Sequence, residues 1–308
     1  MNKTLSNVLV SLGVILVIFA VIMFALGTQT IGPFNFSVDQ ATLVLRFVFV
    51  IIGLLIAFAV YYATRENAAW EAGTREVVWM AIGAALYAVF SWLFNGTVFV
   101  VPSLSQVSLR PAIAIPMFFG FAFGPVVGFF SGAVGKIFGD ALTGFGLSPQ
   151  WSIGNGLIGF VAGMALLFND KKKSMDTVLW VSGVLALLTV VLFFFNRNVQ
   201  NGFYFAASEP VSIFAGLTIV IGFVLVLVVR FAFASNENIA AAVTWGMLGN
   251  IVGILFASLS DIFINGFSLT AAVVGEFLPA AGPNLIFAAI LVPLLVGAYA
   301  AVQRQSGR

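Results

Sequence analysis

Lys136 and Asp140 stand one helical turn apart inside a long apolar stretch. At that spacing the two share a helix face, so they either neutralise one another or offer a cation and an anion together to a ligand. Arg110, Trp151, Asn155, Asn250, Asp261 and Asn284 recur in the apolar segments on either side, with Glu276 shortly before Asn284. Polar side chains in such surroundings are costly, and each marks a function or a bond between helices. Together they suit recognition: aromatic rings (Trp92, Phe99, Trp151) for a flat ligand and polar groups for its edge. The chain has no Cys and no His, which removes thiol nucleophiles, disulfides, Cys or His metal centres and His proton relays. No nucleophile–base pair and no nucleotide-binding motif is recognisable, so the chain is not expected to be an enzyme, and no cofactor is implied.

Each residue also has a plainer reading. Trp151 suits an interfacial anchor. Asn155, Asn250 and Asn284 suit interhelical hydrogen bonds. Arg110 and Asp261 suit solvated helix ends. A shared site rests on their common depth, which depends on the elements that hold them.

Those elements are membrane helices. Of 308 residues, 61% are hydrophobic and only 8% charged, far below the roughly 25% charged of a soluble domain. A net charge of +2, with no basic tract longer than Lys171–Lys173, gives no nucleic-acid surface. The requirement of about 20 apolar residues per span predicts an all-α polytopic protein of ten spans, at 6–27, 43–62, 76–95, 108–123, 125–142, 151–168, 176–195, 211–233, 240–262 and 283–302. The apolar run from Val8 to Leu26 is longer than a signal-peptide core, so an uncleaved span is expected there. Gly124–Pro125 divides the fourth span from the fifth.

With both termini in the cytoplasm, nine basic residues fall inside and two outside, the usual positive-inside bias. Residues 1–74 then read as an N-terminal two-helix addition, 75–169 as core helices 1–4, 170–238 as an inserted pair and 239–308 as core helices 5–6. In that frame the polar residues line the outer half of the core, as a pocket open to the exterior requires. A channel would need polar groups throughout its length. Small residues form a second pattern. Ala81/Ala85 and Ala84/Ala88 make small-xxx-small pairs, and Gly128, Gly132, Gly135 and Gly139 form a smooth stripe. Both suit helix packing inside the molecule, and the Ala face also suits docking of another protein's helix.

Several stretches together resemble a known family: Arg75-Glu76-Val77 before the Ala81/Ala85 helix, Ser108-Leu109-Arg110-Pro111, Phe123-Gly124-Pro125-Val126-Val127-Gly128, Gly135-Lys136-Ile137-Phe138-Gly139-Asp140, Ser148-Pro149-Gln150-Trp151-Ser152, Trp245-Gly246, Ser260-Asp261-Ile262 and Ala298-Tyr299-Ala300. In order and spacing the six-helix core resembles the substrate-binding (S) component of energy-coupling-factor (ECF) vitamin transporters, closest to the riboflavin-type branch. The resemblance implies a cell-membrane subunit that captures a water-soluble vitamin from outside. It also implies docking onto a transmembrane coupling subunit driven by two cytoplasmic ATPases, with Ala81 and Ala85 at that contact. Substrate would be held by the outer ends of the later core helices. The chain departs from the family in its four additional helices and in Lys136. An autonomous secondary transporter coupled through Lys136 and Asp140, or a structural subunit of a larger complex, are the alternatives.

Overall fold

The computed structural model describes residues 3–95, 100–101, 107–144, 146–197 and 213–307. Among them, α1 (Lys3–Ala20) continues through a π turn at Val21–Ala25, and α2 is Leu43–Thr64. Next come α3 (Thr74–Asn95), α4 (Ala114–Phe123), α5 (Pro125–Thr143) and α6 (Pro149–Gly163). After them come α7 (Lys171–Phe195), α8 (Ile213–Ala232), α9 (Glu237–Ile264), α10 (Leu269–Ala272) and α11 (Leu278–Gln305). Among the described residues, eight helices are long and apolar enough to span a membrane, and two shorter apolar helices coincide with the fourth and eighth expected spans. The chain is an all-α polytopic membrane protein.

α5 and α6 form the centre. In each, 78% of the spanning window is buried, against 28% in α2 and α7. Around them α3 packs on α5, α9 on α6, α4 on both, and α11 on α9 and α4. α2 lies against α6, while α7 and α8 lie against α9 and α11. This close assembly rests on missing side chains. Cβ atoms at Gly128 and Gly132 would strike the α6 backbone, and ones at Gly135 and Gly139 would strike Ala84, Tyr87, Ala88 and Ser91 of α3. The glycine stripe therefore serves two neighbours rather than one, because it turns gradually around the helix.

Three local features position the site. Gly124 has φ 108 and Pro125 begins α5, so α4 and α5 are separate helices as the sequence indicates. α4 is shorter than the expected 108–123 span, because Pro111 and Pro116 lack the N–H that a longer helix would need inside it; Pro111–Ile113 form a 3-10 turn instead. The last span is longer than expected. From Ser268, whose Oγ accepts from Ala271 N at 3.1 Å, helix runs through a π turn at Val273–Phe277 into α11. Glu276, expected in a loop, is instead buried within that turn. Pro279 removes the N–H that would bond Gly275, and the wide π turn lies where the ladder adjusts.

Between α1 and α2, the strands β1 (Thr30–Ile31) and β2 (Phe34–Asn35) form a small antiparallel hairpin. It sits at the end of the bundle where α5 meets α6: Leu147 N donates to Ser37 O at 2.7 Å, and Phe34 and Phe36 meet Phe138 edge-on. A second hairpin, β3 (Val100–Val101) with β4 (Val107–Ser108), precedes Arg110.

Candidate functional site

The polar residues fall into three groups at or near one end of the bundle. The first lies between α3, α5 and α6. Lys136 and Asp140 form a buried ion pair on α5. Tyr87, fully buried on α3, donates to Asn155 Oδ1 on α6 at 2.5 Å. Asn155 Nδ2 in turn donates to Trp151 O at 2.7 Å. Arg110, half-buried before the Pro111 turn, is close enough to interact electrostatically with Tyr87 and Lys136. A cation, an ion pair, a phenol and a carboxamide thus converge from four segments. Such a set offers donors and acceptors to a polar ligand edge, and discriminates by leaving buried groups unpaired when the wrong ligand enters.

The second group joins α2, α6 and α9. Trp151 Nε1 donates to Asp261 Oδ2 at 2.8 Å and Gln150 Nε2 to Asp261 Oδ1 at 2.9 Å. Arg46 Nη1 donates to Gln150 Oε1 at 3.0 Å. Arg can only donate and an ionised carboxylate can only accept, so the Gln150 amide has one orientation that serves both. The third group is deeper, between α9 and α11. Asn284 Nδ2 donates to Asn250 Oδ1 at 3.1 Å, and Asn250 Nδ2 to Ala281 O at 2.9 Å.

Among the candidate residues, Arg110, Lys136, Asp140 and Asn155 therefore come together. Trp151 belongs to two groups, its carbonyl facing Asn155 and its indole facing Asp261. Asp261 bonds Gln150 and Trp151 at the start of α6, and Asn250 and Asn284 bond one another. Trp92 is 46% exposed on α3, and Phe99 lies outside the described residues. Sequence reasoning missed Tyr87, Gln150 and the role of Arg46. The signals were present: Tyr87 lies one turn beyond Ala84 opposite Gly135, and Gln150 precedes Trp151.

The two Ala pairs separate cleanly. Ala84 and Ala88 are buried against α5, whereas Ala81 and Ala85 are exposed on the opposite face of α3. At the other end of the bundle are two cavities. One, of about 580 Å³, is lined by Tyr62–Asn67, Leu167 and Phe168. The other, of about 310 Å³, lies beside the stacked Phe168 and Trp245. Neither is lined by a candidate residue.

Fold and site define a polytopic helical membrane protein with a cluster of buried polar side chains at one end. Residues 71–230 match the family described as ECF-type riboflavin transporter, S component, and the chain belongs to that family. A UPF0397 protein of Vibrio atlanticus (strain LGP32) is 38% identical over 90 residues, 29% of this chain and 47% of its own length. One of Aliivibrio fischeri (strain MJ11) is 30% identical over 122 residues, 40% of this chain and 63% of its own. One of Aliivibrio salmonicida (strain LFI1238) is 32% identical over 98 residues, 32% of this chain and 51% of its own. The chain thus spans between 47% and 63% of the length of these relatives. No solved structure gives a significant match. The matched stretch runs through α7 and into α8 and stops before α9, whereas in packing it is α9 that adjoins α6.

Proposed function

We propose that this chain is the membrane-embedded capture subunit of an ECF-type transporter, taking up a water-soluble vitamin, riboflavin or a close relative, from outside the cell. The observation that carries this reading is the convergence of Arg110, Lys136, Asp140, Asn155 and Tyr87 within a chain of that family. A flat heterocycle with a polar edge suits such a group, and Trp151, Asp261, Asn250 and Asn284 would extend or brace it. With both termini cytoplasmic, the site opens outward. The exposed Ala81/Ala85 face would then meet a transmembrane coupling subunit, with two ATPases supplying the energy. Residues 75–169 and 239–308 form the binding core in this reading, and 1–74 and 170–238 are additions to it.

Mass spectrometry of small molecules released from the purified protein tests the reading. Riboflavin or a related vitamin should be released on denaturation, and should be absent from an Asp140→Ala plus Asn155→Ala variant. A ligand retained by that variant would overturn the site. The buried Lys136–Asp140 pair also suits a proton-coupled secondary transporter. Uptake by the protein alone in liposomes, without ATPases, would select that alternative.

A further inference from the structure

We propose that the α1–α2 pair is a clamp on the binding site, with Arg46 as its positioning residue. The inference rests on the Tyr87–Asn155 group being that site.

Arg46 is 8% exposed on α2. A guanidinium so buried is tolerated only if its donors are met. Its Nε donates to Thr42 Oγ1 at 2.8 Å, and Thr42 Oγ1 donates to Asp39 Oδ2 at 2.8 Å. Its Nη1 holds Gln150 Oε1, which leaves the Gln150 amino group facing Asp261. Asp261, 1% exposed, divides its two oxygens between Gln150 and the Trp151 indole. The Trp151 carbonyl receives the Asn155 amide, and Asn155 receives the Tyr87 hydroxyl. A series of hydrogen bonds, passing through the α6 main chain at Trp151, thus leads from a helix outside the core to the centre of the site.

The α1–α2 connection presses on the same place from above. Ser37 O accepts from Leu147 N at 2.7 Å, and Asn35 Nδ2 donates to Gly144 O at 3.4 Å. The turn between α5 and α6 is held on one side by this hairpin and on the other by Arg46 through Gln150. Removing Arg46 would free Gln150 and half of the Asp261 network, loosening the Trp151 indole and the first turns of α6, whose main chain carries the acceptor of the Asn155 amide. Ligand binding would then have to restore an order that the clamp otherwise supplies in advance.

The test measures riboflavin binding by the full-length protein in nanodiscs, together with hydrogen–deuterium exchange of residues 146–155 without ligand. Arg46→Met should weaken binding about tenfold, the worth of one hydrogen bond to a charged group, and speed exchange in that segment. Arg46→Lys, which keeps the charge, should restore part of both. Val50→Ala, a cavity one turn from Arg46 at a side chain that makes none of these hydrogen bonds, should lower the melting temperature and leave affinity and exchange unchanged. Thr42→Val, a milder change, should shift both readouts in the same direction if Arg46→Met does not fold. A double variant with Trp151→Phe should lose no more affinity than the worse single variant, since both act through one series. If exchange quickens but the parent protein binds no riboflavin, the clamp stands and the assigned ligand falls. Unchanged exchange, or unchanged affinity in a parent that binds, overturns the clamp, as does an equal loss of affinity in Val50→Ala.

Discussion

The two helix pairs outside the central bundle are attached in opposite ways. α1–α2 is fastened at the end where the polar cluster lies, through Arg46, Gln150 and Asp261 and through the hairpin over Leu147. α7–α8 is fastened at the other end. There Lys171 Nζ donates to Asn238 Oδ1 at 2.8 Å and Trp245 Nε1 to Ser174 Oγ at 3.4 Å, while Arg230 Nη2, donating to Asp176 Oδ1 at 2.8 Å, ties α8 to α7 within the pair. Beyond that end α8 holds to α11 by close apolar contact, with Gly222 against Leu285 and Gly282 against Thr218. Both pairs read alike as hydropathy. Their polar fastenings give them different reach: the first touches residues that face the site, and the second does not.

The sharpest way to break this contrast is Asp261→Ala. It removes the acceptor shared by Gln150 and Trp151 and the larger of the two counter-charges on Arg46, Asp39 being the other, so a loss of about 2–4 kcal/mol is expected in reversible unfolding. Affinity should fall with it. Arg230→Met on the other side should cost about 1 kcal/mol, because Asp176 is half-exposed and is rehydrated when its partner leaves. Ligand affinity, followed by titration, should be unchanged in that variant; a matching fall would erase the distinction between the pairs. Trp245→Phe removes one long hydrogen bond and should cost about 0.5–1 kcal/mol, again without effect on affinity.

The smallest effect concerns pH. The Thr42 hydroxyl and then the Ala41 N–H hold the Asp39 carboxyl below its ordinary value. A lowered carboxyl contributes stability above its unfolded value, about 3.9, and loses it as pH falls through the lower folded value. Acidification below about pH 4 should therefore loosen α1–α2 slightly, seen as faster exchange in 30–42. Asp39→Asn should abolish that dependence, and a dependence that persists would assign it to another group.

Helix number and most helix limits were legible in the sequence, because apolar length and the Gly124–Pro125 break act locally. The height of the polar residues was legible too. Their direction around each helix was not, since it depends on which neighbour each face meets. Asp261 and Asn155 sit at similar depth, yet one bonds side chains at the start of α6 and the other meets Tyr87 of α3. Tyr87 escaped because its chain neighbours are apolar and its partner is 68 residues away. Arg46 stood out as a charge within a span, but nothing local joins it to Gln150, 104 residues on. Glu276 was misplaced because the last span was expected to begin at 283, whereas helix runs from Leu269 through the π turn into α11.

The shortness of α4 has a consequence for hydration. Ten helical residues reach about 15 Å, half of a hydrocarbon layer about 30 Å thick. The chain above it, from β4 through Arg110, lacks a helical ladder of its own, and such backbone survives at that depth only against protein or water. The half-buried segment Leu109–Arg110 therefore has to be sheltered by neighbouring protein and water rather than by lipid.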